Sequence, residues 1–107
     1  MRIKTWNIEA MTGYKPITTF YEDFSIADNF GMDAVKNTYE RAFRDAKGFG
    51  YDFLTEFVMV LNWKIWEHYE SNEPLAKLYN DLWEEADLYA TENLKGDELN
   101  YFYQTTD

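Results

Sequence analysis

"YDFLTEFVMVLNWKIWEHYE", residues 51–70, decides the fold. At about 100° per residue, Leu54, Phe57, Val58, Leu61, Ile65 and His68 fall on one stripe of a helix spanning about 52–70. Met59, Trp63 and Trp66 fall almost opposite, beside Glu56, Glu67 and Glu70. A helix that is apolar on two sides belongs at the centre of a bundle. The same stretch concentrates the chemistry of the chain. "WKIWEHYE", residues 63–70, holds two of the four tryptophans, the only histidine and two carboxylates. It reads as a metal or catalytic site, a recognition surface, or the busy end of a core.

Outward from this segment the chain reads as further helices separated by short breaks. Thr18 or Thr19 caps a helix to about Asn29, with Phe20, Phe24 and Ala27 as its stripe and Gly31 as its stop. Asp33 caps the next, whose apolar face is Val35, Thr38, Tyr39, Ala42 and Ala46. "KGFGYD" ends it. "SNEP" follows the central helix, and Pro74 suits the first turn of a helix over about 74–94. That helix buries Leu75, Leu78, Tyr79, Leu82, Ala86, Tyr89 and Ala90. Gly96 ends it, and "DELNYFY" forms a short last helix capped by Asp97. The expected fold is all-α: a single-domain bundle of four helices plus a short fifth over 18–107. An extended or short-strand arm over 1–17 precedes it.

Composition narrows the functions. With no cysteine, disulfide scaffolds, thiolate metal sites and cysteine nucleophiles are excluded. The longest apolar run, "FVMVL" at 57–61, is far too short for a membrane span, so a cytoplasmic location is the default. Twenty acidic residues face ten basic ones, and residues 73–107 alone carry −7 of the net −10. Such a chain repels phosphate backbones and anionic lipid, so neither nucleic acid nor membrane is an expected partner. Its acid either keeps an aromatic-rich protein soluble or attracts a protein with a basic surface.

Catalytic patterns fail one by one. A di-iron bundle needs Glu-x-x-His on two helices, but Ile65 stands three residues before His68 and no second histidine exists. His-Glu-x-x-His fails likewise. "GFG" at 48–50 lacks the strand and third glycine of a nucleotide fingerprint. Ser25 and Ser71 share one histidine as a possible activator. His68, within the apolar stripe, reads as a half-buried imidazole bonded to a neighbour. No cofactor and no metal are expected. The alternative is a small hydrolase or metal-dependent enzyme using glutamates near His68.

Two surfaces remain as candidates. Met59, Trp63 and Trp66 form either a second buried face, covered by the arm or by "YFY" (101–103), or an exposed binding patch. Asp81, Glu84, Glu85 and Glu92 lie away from the stripe of the fourth helix, as an acidic face for a basic partner.

The run "TGYKPITTFYEDFSIADNFG" (12–31), followed by residues 51–107, resembles a family of small proteins of gut bacteria carried on conjugative or phage-like mobile elements. The family has no established activity and supplies no functional residue to transfer. The resemblance implies an accessory protein of a mobile element. Small acidic proteins of that kind are often similar to inhibitors of host defence, of anti-restriction or anti-CRISPR type. Some of those mimic DNA with long double rows of carboxylates. Here the acid is concentrated on the fourth helix and C-terminus and is interrupted by Lys77, which departs from that pattern. The reading taken forward is a non-enzymatic accessory protein that acts by binding a protein partner.

Overall fold

The computed structural model of the protein describes residues 16–106, which form five helices and no strand. They are α1 (Pro16–Asp28), α2 (Met32–Phe49), α3 (Tyr51–His68), α4 (Glu73–Asn93) and α5 (Gly96–Thr106). The bundle is therefore all-α, as the periodicity requires. Of the arm expected over 1–17, residues 1–15 lie outside the described residues. Pro16 and Ile17 belong to α1, so the bundle begins two residues before the expected boundary at 18. Proline explains this: its fixed φ and missing N–H cost nothing in the first helical turn, so Pro16 opens the helix rather than preceding it.

The other breaks have equally local causes. Gly31 rather than Asp33 precedes α2, and Asp33 sits inside the first turn, where its charge complements the helix dipole. α2 runs through Gly48 and stops at Gly50, whose φ of 128° is a conformation that side chains with a Cβ rarely adopt. That single residue ends α2 and starts α3. Asn72 caps α4 by accepting the Leu75 N–H at 3.3 Å, with Pro74 in the first turn.

α3 packs against all four other helices. Leu54, Phe57, Val58 and Leu61 of its expected stripe are buried, Ile65 and His68 half-buried. Thr55, Glu56, Val60 and Lys64 are buried as well, so contact extends well beyond one stripe. Glu56, expected beside Met59 and the tryptophans opposite the stripe, is one of them. The whole expected stripe of α2 is buried, as are Leu75, Tyr79, Ala86 and Ala90 of α4. At the centre stands Phe57, with Phe20, Tyr39 and Phe43 rings at 5.5, 5.6 and 5.5 Å and Phe24 at 6.1 Å. Phe102 of α5 belongs to the same core and is fully buried. Among the described residues, no helix is long and apolar enough to cross a membrane.

Candidate functional site

One turn of α3 places Lys64 where α1, α3 and α4 meet, and its side chain has no exposed surface. An ammonium has three N–H donors, and all three are used. They reach Asp28 Oδ2 at 2.7 Å, Glu67 Oε2 at 2.7 Å and Ser25 Oγ at 3.1 Å. The Tyr21 ring lies 4.9 Å from Nζ, close enough for a cation–π contact. Asp28 ends α1 and collects donors from two other helices. Besides Lys64, its Oδ2 accepts from His68 Nε2 at 2.8 Å, and its Oδ1 accepts from the Tyr79 hydroxyl at 2.6 Å. A carboxylate has no proton to give, so the imidazole Nε2–H is the donor. The His68 ring stacks on Tyr79 at 5.7 Å and 7°. Tyr21 closes the network by donating to Glu67 Oε1.

The electrostatics favour the charged forms of Lys64 and Glu67 and the neutral form of Tyr79. Burial pulls the Lys64 ammonium down, but hydrogen bonds and charge from Asp28 and Glu67 outweigh it, and its pKa is raised overall. Burial pushes Glu67 up; the hydrogen bonds from Lys64 and Tyr21, with the Lys64 and His68 charges, bring it below its ordinary value. The Tyr79 phenol is raised, first by burial and then by its bond to Asp28. None of these shifts moves a group toward proton transfer near neutral pH.

Asp28, Glu67 and His68 offer ligand atoms within 4.8 Å of one another, a spacing suited to a metal ion. The Lys64 ammonium bonds to both carboxylates, so a metal must displace a cation the chain itself supplies. The donor set fits a buried ion cluster that ties α1 to α3 and α4, with His68 as a positioned structural group.

The pKa directions predict how stability follows pH. Glu67 is lower in the folded state, so its contribution is present above its ordinary value of 4.5 and is lost as pH falls through the depressed one. Lys64 is higher when folded, so its contribution is full below 10.5 and is lost as pH rises through the raised value. The contributions of Glu67 and Lys64 are both full between their ordinary values of 4.5 and 10.5, so melting temperature is expected to fall on either side of that window. Glu67→Gln should flatten the acid limb, and an unchanged acid limb would reject this assignment.

The nominated surface residues do not form one constellation. Trp63 and Trp66 are 45% and 64% exposed, Met59 is half-buried, and Trp63 meets the Tyr21 ring at 6.5 Å. "YFY" does not cover the tryptophans: Phe102 is in the core and Tyr101 packs on Tyr51. Asp81, Glu84, Glu85 and Glu92 are exposed on α4. Glu85, however, accepts a 2.5 Å bond from Tyr39 of α2, so it faces a different neighbour from the tryptophans. The carboxylates nearest the tryptophans in the chain are Glu67 and Glu70 of the same segment, both exposed. Lys64 and Asp28 were missed by sequence reasoning, although both obey its rule. Lys64 falls in register with Phe57, Leu61 and His68, and Asp28 follows Phe24 by four.

No protein-family model, no curated protein and no solved structure matches the chain, so its function rests on this geometry.

Proposed function

We propose that the protein is a non-enzymatic binding module whose α3 aromatic face engages a protein with a basic surface. The observation that carries this is the exposure of Trp63 and Trp66 on the helix that forms the centre of the bundle. Large aromatic side chains on a rigid helix lose little entropy on binding and dominate protein interfaces. Tyr69, 62% exposed and 5.4 Å from the Trp66 ring, extends the face beyond the helix end. Glu67 and Glu70 rim it, and the exposed acids of α4 add a longer-range field that speeds encounter with cations. The resemblance to mobile-element proteins makes a host protein the natural partner class, which includes targets of anti-restriction and anti-CRISPR inhibitors.

A photo-crosslinking amino acid in place of Trp66 tests the reading in the native cell. It should capture a defined partner, whereas the same group at exposed Lys36 of α2 should not. Capture should weaken as salt is raised past physiological strength, where the Debye length is about 8 Å. Identical products from both positions, or none from Trp66, would reject the proposed face.

A further inference from the structure

We propose that residues 1–15 of this chain dock on the aromatic corner where α2 passes into α3, an inference independent of the partner-binding face. The corner is built from Phe49, 53% exposed, the half-buried Phe53, and Tyr51, 39% exposed. The Phe49 and Phe53 rings lie 5.3 Å apart, and Tyr51 meets Tyr101 of α5 edge-on at 5.4 Å. Aromatic surface gathered in this way marks an interface.

Two helix directions bring the start of α1 to this corner. Along α1, contacts with α3 climb from Phe20–Phe57 through Tyr21–Trp63 to Asp28–His68. The two helices therefore run the same way, and the chain before Pro16 joins beside the first turns of α3, away from Trp66. α2 leaves α1 through the short turn at 29–31 and returns along it, since Phe20 and Phe43 both pack on Phe57 at 5.5 Å. Back from Phe20 to Pro16 is about 6 Å of helix and on from Phe43 to Phe49 is about 9 Å, both toward the same end.

The chemistry matches as well. Residues 1–15 hold Arg2, Lys4 and Lys15 against the single acid Glu9, in a chain whose net charge is −10. They also hold Ile3, Trp6, Ile8 and Met11, apolar side chains suited to ring surfaces. At the corner, Asp52 lies in the first turn of α3, and Glu56 follows one turn later, buried despite its charge. A buried carboxylate needs opposite charge or donors beside it. The nearby cations of α2 are engaged on that helix: Lys47 lies over the Phe43 and Tyr89 rings at 4.3 and 5.2 Å, and Arg44 pairs with Asp45 at 3.8 Å. Arg2 and Lys4 supply the complement to Asp52 and Glu56. Docked there, the basic segment is held within the chain, and the Trp63–Trp66 face stays open to a partner.

The test places a photo-crosslinking amino acid at Phe49 in the purified full chain and identifies the crosslinked peptides by mass spectrometry. A product joining position 49 to residues 1–15 of the same molecule is expected, and the same group at Trp66 should give none. Mixing isotopically labelled and unlabelled chains separates joins within a molecule from joins between copies. Arg2→Glu together with Lys4→Glu should lower the yield about fivefold. A second measurement needs no substitution at the corner. Trp6→Ala should shift the amide signals of Phe49, Tyr51 and Phe53 and leave that of Trp66 in place. Products joining two copies overturn the proposal, as do products that never reach residues 1–15. Equal yield after charge reversal, or unmoved amide signals at the corner, overturns it too.

Discussion

Lys64→Ala is expected to destabilise the protein by about 3–5 kcal/mol, the cost typical of breaking a buried ion pair from one side. The penalty comes from what is left behind. Asp28 and Glu67 would face each other across the space that the ammonium fills, each having lost a 2.7 Å charged bond. Tyr79 and His68 would still donate to Asp28, and Tyr21 to Glu67, so the carboxylates would not be bare. Those neutral or partial donors do not replace a full charge in a buried setting. In a chain of this size the loss corresponds to more than about 10 °C in melting temperature. Lys64→Met, which keeps much of the stem, should fall in the same direction. Adding Asp28→Asn to Lys64→Met should cost less than the sum of the two, because the second change removes a charge the first has stranded. Strict additivity in urea unfolding would mean that the cluster does not exist as described. The cluster also anchors the end of α1. Beyond Phe24 and Ala27, its attachment to α3 and α4 is polar, through Ser25 and Asp28.

The elements that were legible from the chain are those governed by neighbours three or four residues away. The stripe of α2 was complete at Val35, Thr38, Tyr39, Ala42 and Ala46, because a surface helix shows its burial in its own spacing. The stretch "KGFGYD" reads as the end of α2, and the helix stops within it at Phe49; Gly48 lies in the exposed last turn, where glycine costs only about 1 kcal/mol. The ion cluster was another matter. Lys64 meets Ser25 across 39 residues and His68 meets Asp28 across 40, and nothing local indicates such a pairing. A lysine among apolar neighbours is more often a solvated stem than a buried cation, and a single sequence does not reveal the carboxylates that reverse that preference. The exposure of the tryptophans was open for the same reason. A helix with two apolar faces needs its neighbours counted before either face is known to be free.

Phe57→Ala is expected to cost about 3–5 kcal/mol, the range for truncating a fully buried phenylalanine. Phe57 has no exposed surface, and rings from α1 and α2 surround it at 5.5–6.1 Å. Deleting its ring removes the shared contact of Phe20, Phe24, Tyr39 and Phe43 and leaves a cavity that four rigid aromatic side chains cannot easily fill. Phe57→Leu retains much of the apolar volume and should cost clearly less. Trp66→Ala, on the same helix and larger in the volume it deletes, should change stability by only about 0.5 kcal/mol, because its ring is mostly in solvent. The contrast between these two positions is what gives the functional reading its physical content. An aromatic side chain that contributes little to folding, displayed on the helix that packs against the other four described helices, is available for a partner. If urea unfolding shows Trp66→Ala as damaging as Phe57→Ala, the Trp66 ring is covered within the protein itself, and the aromatic binding face on α3 has to be abandoned.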